Sequence, residues 1–558
     1  MQSGSKIFKR KIHLVFLRDN TKVYKDWLTY TLKLIESDKE IGLVGSKIIN
    51  VDGILEDAGG IVWKDGEFTN YGAGKDAENP EFNYVKNVDF VSSVSLIVKK
   101  SLWNKLGGFD IKFIPINYAD IDFSFKIWKC GYKVMYQPKS VVEYNNNISN
   151  QTKKITTIQN YGKQLIYEKW KNVLNYQMEK GNYFISRDRG FNKSRVFVID
   201  GFVPKFDKDA GGRCSFMYLN IFKEIGLEVT FLASNLIKEE PYTSILQQKG
   251  IEVLYGKSFK KKKMKKWIKN NLKHFKYIYL QRPDVTINYI DIIKKYFSGK
   301  IIYFAHDLHY IRLFRQYNIT HNKKKYIQSK KMKKIEMEIF SKVDVIYVVG
   351  NYEYNILKEK YINKTIRNIP LYIYENQYKN IDKNFSKRNG LIFVGMIRAP
   401  NIDAIRWFKK EIYPKIISKF PEIVWYIVVS NNPKYIKKME SKNIKIIGHL
   451  SDEELHSLYQ KCRLAIAPLR FGAGVKGKVI EAAYNQIPMV TTSIGAEGIN
   501  KSTGAFIIAD SSEKMIETIC NLYLDYPKLK QMSDSGRMLI EKFYSKKIAK
   551  EIILKDFM

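Results

Sequence analysis

The sequence predicts an α/β protein built on parallel sheets and divided into several domains. Three observations carry this expectation. At 558 residues the chain exceeds what one hydrophobic core organises, so roughly two to four domains are expected. From "RVFVID" at Arg195 onward, short apolar strands alternate with amphipathic helices, which is the pattern of parallel sheets. A second such series begins at "GLIFVG", after the polar segment "ENQYKNIDKNFSKRN", the best candidate for a hinge.

Before Arg195 the chain reads differently. "HLVFLRDNTKVYKDWL" is an apolar strand, a polar turn at Asp19, Asn20 and Thr21, and a helix opened around Tyr24 to Trp27. Short strands and turns follow in "IGLVGSKII", "GGIVW", "DFVSSVSLIVKK" and "KVMYQPKSVVEY", and then a polar helical stretch from Gln151 that reads as a connector. In the first α/β series the strands are "VTFLAS", "YIYLQ", "KIIYFAH" and "DVIYVVG". In the second they are "VWYIVVS", "IKIIGHL", "LAIAPLR" and "IPMVTTS", with Ser451 and Glu454 at capping-box spacing ahead of a helix. Facing α/β domains form a cleft at the carboxyl ends of their strands, where such sheets bind ligands. The expected boundaries are 1–150, a connector 151–193, 194–375, 386–535, and a closing helix 536–558 returning to the first α/β domain.

Composition narrows the partners. With 45% hydrophobic and 27% charged residues the chain is ordinary for a globular protein, but its net charge is +39. That charge suits an anionic partner such as a membrane surface, a nucleic acid or a phosphorylated substrate, and it equally suits a lysine-rich composition with no such partner. The four cysteines, Cys130, Cys214, Cys462 and Cys520, form no C-x-x-C pair, which argues against a zinc site or a disulfide framework and fits a reducing cytoplasm. The start lacks the apolar core of a signal peptide, and no apolar run reaches the length of a membrane span.

The chemistry concentrates in "LRFGAGVKGKVIEAAYNQIPMVTTSIGAEGI". A strand runs out near Arg470, a turn holds Gly472, Gly474 and Gly477, and a helix starting near Lys478 carries Glu481 about one turn on. Glycines let a backbone approach a ligand closely, and unpaired N–H groups at the positive end of a helix hold phosphate. Val475 lies in the turn, Lys476 and Lys478 supply charge for a diphosphate, and Glu481 is placed to reach ribose hydroxyls.

"FGAGVKGKVIEAA" followed by "PMVTTSIGAEG" resembles the donor-binding region of family 4 glycosyltransferases of the GT-B fold. "FVGMIRAPNIDAIRWF" resembles the opening of their second domain, "YFAHDLHYIRLFR" a loop of their first, and "DAGGRCSF" its glycine turn. The resemblance runs from about Arg195 to the end and implies a GT-B arrangement of two Rossmann-like domains. It implies transfer from a nucleotide-sugar, a UDP- or GDP-sugar, with retained configuration, no resident cofactor and no metal. It also implies a histidine that positions the sugar or acceptor: His309 first, His306 close behind, beside Asp307 and Arg312. Gly211, Gly212 and Arg213 begin a helix on the acceptor or phosphate side. Two departures stand out. Ala473 replaces the first of a pair of glutamates, eight positions before Glu481, and Met396 and Asn401 stand where an Arg and a Lys are common. Phosphate charge then falls to Arg398, Lys476, Lys478 and the helix dipole. With no obvious carboxylate nucleophile, same-face attack is favoured, the leaving phosphate taking the acceptor proton.

The front segment is similar to the back half of a family 2, GT-A-type glycosyltransferase, through "IGLVGSKIINVDGILEDAGGIVW", "DFVSSVSLIVKKSLWNKLGGFD" and "NYADIDFSFKIWKCGYKVMYQPKSVVEY". In that pattern Asp19 and Asn20 fall on the metal-binding turn, with Asn20 at the usual carboxylate. The acidic pair before the acceptor helix is present only as Ala119-Asp120, which leaves Asp120 as the candidate base with Asp122 nearby in the same degenerate site, and Tyr144 stands for a metal-binding histidine. An amide and a phenol are poor ligands for a hard cation, so the resemblance implies a degenerate site, and the pattern of the family's nucleotide-binding first half does not occur.

Two lysine-rich runs, "KSFKKKKMKKWIKNNLKHFK" and "NKKKYIQSKKMKKIEMEIF", read either as solvated helix faces or as contacts with an anionic membrane anchored by Trp267 or Phe259. The function expected is a glycosyltransferase, free in the cytoplasm or at the inner face of the membrane, acting on a glycan, lipid-linked or protein-linked acceptor in surface-polysaccharide or glycoconjugate assembly. A non-catalytic scaffold subunit for a partner enzyme is the alternative. Nucleic-acid binding has only charge in its favour.

Overall fold

The computed structural model describes residues 13–114, 118–145, 152–371, 374, 381–430 and 434–557. The chain forms two compact units, Met1–Val196 with Gly226–Phe275, and Phe197–Ile225 with Lys276–Met558.

In the first unit, strands β1 (His13–Leu17), β2 (Thr21–Val23), β3 (Ile41–Ile49), β8 (Ser95–Lys99) and β9 (Lys133–Tyr144) form a sheet in the order β1-β8-β3-β9-β2, with β4 (Leu55–Asp57) on β3 and β7 (Lys86–Asn87) on β9. β5 (Gly60–Val62) and β6 (Phe68–Asn70) pair as a hairpin. The sheet is mixed: β3 and β9 are parallel, while β1·β8, β3·β8 and β2·β9 are antiparallel. Every residue of "IGLVGSKII" is buried, as expected of a central strand covered on both faces. Helices α1 (Trp27–Ser37), α2 (Ala119–Lys129) and α3 (Thr152–Leu174) belong to this unit, and Trp63, Phe82, Phe123 and Tyr136 fill its core. β10 (Arg195–Asp200) begins here, and β11 (Glu228–Ala233) and β12 (Glu252–Leu254) pair in parallel. Residues 226–275, assigned by sequence to the first α/β series, thus pack with the front unit. A buried ion pair from Arg187 to Glu252, 2.7 Å, ties them to it.

The second unit holds two sheets. β10, β13 (Tyr277–Gln281), β14 (Lys300–Ala305), β15 (Val345–Val348) and β16 (Thr365–Asn368) follow one another in space, β13 to β16 parallel. The other sheet runs β19-β18-β17-β20-β21-β22, all parallel, from β17 (Leu391–Met396), β18 (Trp425–Ser430), β19 (Ile444–Ile447), β20 (Leu464–Ala467), β21 (Met489–Thr491) and β22 (Phe506–Ile508). Its core centres on Trp425, whose ring lies 4.8 Å from Phe408 and 5.4 Å from Tyr413.

Eight helices of this unit position the site or close the fold: α4 (Ala210–Glu224), α5 (His309–Thr320), α6 (Lys323–Lys342), α7 (Asn351–Lys360), α8 (Ala399–Trp407), α9 (Asp452–Lys461), α10 (Gly477–Tyr484) and α11 (Tyr526–Phe543). The capping box at Ser451 and Glu454 is formed, and it starts α9. The expected boundary at 536 falls inside α11. The following helix, α12 (Lys546–Leu554), does pack on the β10–β16 side: Lys550 pairs with Glu224 at 2.6 Å and Phe557 stacks within 4.9 Å of Phe222. Of the hinge candidate, residues 375–380 lie outside the described residues, and 385–387 form a short 3₁₀ turn.

Candidate active site

The glycine turn is built as its sequence suggests. β20 ends at Ala467, the chain passes through Gly472 (φ 155°) and Gly474 (φ 72°), and α10 begins at Gly477. At Gly474 a side chain is excluded twice, by the left-handed φ and because a Cβ would lie 2.8 Å from the Cβ of Asp307. The turn borders a cavity of about 690 Å³ in the second unit, lined by ends of both sheets and the helices after them.

Most of the residues singled out by sequence meet here. Gly472, Val475, Lys476, Lys478, Glu481 and Arg398 line one side, and Gly211, Arg213, His306, Asp307, His309 and Arg312 the other. Gly212 and Gly474 support the walls from behind: a Cβ on Gly212 would lie 2.9 Å from the backbone of Lys205, so the close packing of α4's first turn requires glycine. Asp209 caps that helix by accepting from the Gly212 N–H at 2.8 Å.

The two lysines differ. Lys478 Nζ donates to Asn401 Oδ1 at 2.7 Å and lies 4.0 Å from the Phe393 ring centre; desolvation lowers its pKa to about 7. Asn401, the departure from the family's lysine, thus serves as partner to the lysine that remains, and its own Nδ2 donates to the Met396 carbonyl. Lys476 donates to the Gly474 carbonyl and lies 3.8 Å from Glu497; burial lowers its pKa too. Arg398 is the exposed N-cap of α8.

Glu481 accepts from the Tyr459 hydroxyl at 3.2 Å, and Arg213 approaches it to 3.7 Å. Burial raises its pKa. Arg213 reaches from α4 across the cavity to Asp452 as well, at 2.5 Å, so one guanidinium spans the two walls at the position where ribose hydroxyls were expected.

The two histidines have separable roles. His306 Nε2 lies 2.7 Å from Gln281 Oε1, and burial, with the Arg282 charge beside it, lowers its pKa to about 4. It is a neutral imidazole at physiological pH, and its Nδ1 makes no hydrogen bond among the described residues. His309 Nε2 lies 3.0 Å from Asp307 Oδ1. Asp307 also takes the Arg312 guanidinium, and its carboxyl sits well below the usual range, with Arg312 and His309 offsetting its burial.

Four further residues shape the cavity or its walls without an obvious sequence signal. Arg282, at the end of β13, donates to Asp200 at 2.5 Å and lines the cavity beside Gly211. Glu336 of α6 accepts from the backbone N–H groups of His309 and Tyr310, 2.9 and 3.0 Å, and so caps α5 from another helix. Glu353 of α7, buried, accepts from the Gly474 N–H at 2.9 Å, and desolvation raises its pKa to about 7. Arg315 of α5 donates to the Gly472 carbonyl at 2.9 Å and makes a two-pronged pair with Glu497, 2.7 Å on each prong.

The residues of the front pattern lie in the first unit. Asn20 donates to the Asn145 carbonyl at 2.7 Å, and Arg18 donates to the Tyr144 hydroxyl at 3.0 Å. Asp19 accepts from the Asn20 N–H. Asp122 is buried and held by Lys126, Lys169 and the Trp170 indole, a structural role. Asp120 accepts from the backbone of Ser93 and Ile121, and desolvation raises its pKa to about 6.

Residues 388–525 match the sequence family described as Glycosyl transferases group 1. A Klebsiella pneumoniae protein, described as an uncharacterised 44.6 kDa protein in the cps region, is 28% identical over 175 residues, 30% of this chain and 45% of its own length. The chain thus spans about half the length of that curated relative. Among solved structures, sucrose-phosphate synthase from Thermosynechococcus elongatus superposes with a TM-score of 0.50 at 12% identity, covering 65% of this chain and 98% of its own. Anabaena HepE, solved with UDP and glucose, gives 0.46 at 12% identity, over 65% and 99%. Residues 388–525 thus match a glycosyltransferase domain, and 65% of the chain shares the GT-B fold of that synthase.

Proposed function

We propose that the protein is a retaining, metal-independent glycosyltransferase that moves a sugar from a UDP- or GDP-sugar to a glycan, lipid-linked or protein-linked acceptor in surface-polysaccharide or glycoconjugate assembly. The observation that carries this reading is the convergence on one cavity of the Gly472–Gly477 turn, the start of α10, Lys476, Lys478 and Glu481. The donor diphosphate rests at the start of α10, where unpaired N–H groups and two lysines meet its charge. Glu481 exchanges Arg213 for ribose hydroxyls. As the bond to the sugar breaks, the leaving diphosphate gains charge, and preorganised N–H groups and lysines aimed at it stabilise the transition state most. His309, oriented by Asp307, positions the sugar or acceptor hydroxyl, whose proton passes to the departing phosphate oxygen on the same face. His306, neutral and held by Gln281, offers Nδ1 as an acceptor to a hydroxyl.

The scaffold reading gains from Ala473, which leaves the turn without a carboxylate, and from the Arg213 contact that occupies Glu481. A single set of assays separates the two. Nucleotide-sugar binding and hydrolysis or transfer are measured for the wild type and Glu481→Ala, with and without EDTA. We expect binding weakened by about 1–3 kcal/mol in the variant, for the loss of a charged hydrogen bond, and turnover that persists in EDTA. A folded protein that binds no nucleotide-sugar is a scaffold, and loss of turnover in EDTA sinks metal independence.

A further inference from the structure

The two lysine-rich runs part company in the structure. In the helix Lys261–Asn271, Met264 and Ile268 are buried, and Trp267 packs on Phe184, Phe259 and Phe275. The anchors expected of that run, Trp267 and Phe259, therefore face protein. The α5–α6 hairpin of the second unit is the reverse case. Phe314 (43% exposed), Ile319 (43%), Tyr326 (36%) and Ile327 (66%) stand in solvent, and Phe314, Tyr317 and Tyr326 form one aromatic cluster across the two helices, with ring centres 5.2–6.4 Å apart. Between Asp307 and Glu336 the sequence has no acidic residue but seven lysines. Of these, Lys323, Lys324, Lys330, Lys331, Lys333 and Lys334 are exposed; Lys323 and Lys324 flank the turn, Lys330 lies over the Tyr326 ring at 4.6 Å with Lys331 beside it, and Lys333 lies over Tyr310 at the base of the hairpin. Glu336 is buried under the start of α5.

We propose that the tip of this hairpin seats on an anionic lipid bilayer. An exposed apolar cluster flanked by lysines, on a hairpin with no carboxylate of its own between Asp307 and Glu336, satisfies both halves of interfacial binding: apolar side chains enter the headgroup boundary while the ammonium groups meet lipid phosphate. A soluble polyanion would use the lysines and leave the rings in water. The hairpin also adjoins the cavity, because Leu313, Gln316 and Lys325 line it and α5 begins at His309. Along α5, the ten residues from His309 to Ile319 rise about 15 Å, so a bilayer at the tip lies within reach of an acceptor carried on a lipid. The proposal rests on the transferase reading only for what that bilayer presents.

The test is sedimentation of the full-length protein with vesicles of phosphatidylcholine alone or of an equimolar mixture with phosphatidylglycerol. Three variants are compared: Phe314→Ser/Ile327→Ser, Lys330→Glu/Lys331→Glu, and Lys262→Glu/Lys265→Glu on the other basic helix as a control of equal charge change. We expect binding to the mixed vesicles only, weakened by about twentyfold or more when two hairpin lysines are reversed, weakened as well by the serine pair, and little changed in the control. Equal loss in both lysine variants would mean diffuse charge and overturns the proposal. Unchanged binding in the serine variant would mean a polyanion site without insertion and overturns it too. Because no donor or acceptor is present, failure here leaves donor binding at the glycine turn untouched.

Discussion

Lys478 makes the most testable residue of the site. With its pKa lowered to about 7, it is about half protonated in the empty cavity at neutral pH. A bound diphosphate favours the charged amine and raises that pKa, so binding takes up a proton. Below pH 7 the amine is already charged and affinity is flat; above it, affinity falls by up to tenfold per pH unit until the pKa of the bound state is reached. Titration calorimetry in buffers of different ionisation enthalpy should show the uptake, and Lys478→Met should abolish it together with the slope; a wild-type affinity that does not change between about pH 7 and about pH 9 refutes the assignment. At this scale the sequence was informative where chemistry is local. The glycines, lysines and Glu481 lie within one strand-turn-helix unit, so their meeting along one cavity was legible. Glu353, Arg282 and Arg315 were not, since Glu353 reaches Gly474 across 121 positions and Arg315 reaches Glu497 across 182, distances over which no spacing rule operates.

The glycine turn works as an element because it is held from the opposite wall. Arg315 fixes the Gly472 carbonyl and Glu497, while Glu353 fixes the Gly474 N–H. Arg315→Ala leaves Glu497 largely buried without its strongest partner. We expect it to cost about 2 kcal/mol of stability and to weaken donor binding through disorder of the turn, although Arg315 does not line the cavity; Arg315→Lys, which keeps one prong, should fall between. Thermal melts with and without donor measure both effects, and a variant with normal melting and normal affinity removes Arg315 from this role. Elements of five or more residues with clear apolar runs were legible: "IGLVGSKII", "YIYLQ" and "KVMYQPKSVVEY" are strands over the quoted residues. Short strands were legible where the run is apolar, as in Val345–Val348 and Leu464–Ala467, whereas Thr21–Val23 and Glu252–Leu254 are too short and too mixed for a period of two to show.

For the whole molecule, the division of labour between the two units is the question. We expect Asp120→Asn to leave transfer nearly intact and Glu481→Ala to remove most of it, with sugar transfer as the readout; the opposite result reverses the roles of the units. Asp120 accepts the Ser93 N–H on Oδ2 and the Ile121 N–H on Oδ1, so Asn keeps only one of the two contacts, and a thermal melt of the variant establishes that it is folded. The pKa raised to about 6 means that the folded state prefers the protonated carboxyl, so wild-type stability falls as pH rises from about 4 to 6, and the variant is spared that loss. The grouping of residues 226–275 with the front unit was hidden from sequence, since strand alternation reports an α/β pattern but not which neighbour the strands pack against. The return of the last helix carries a consequence of another kind, in time. Asp556 accepts from the Tyr347 hydroxyl and from Arg367, and Phe557 lies against Tyr277. Arg367 waits 189 positions for that partner, so a ribosome elongating at about 5–20 residues per second leaves the β10–β16 sheet without this cover for roughly ten seconds or more. During that interval Tyr277 and Tyr347 are open to chaperones and to wrong neighbours, which makes the rate of translation a determinant of yield.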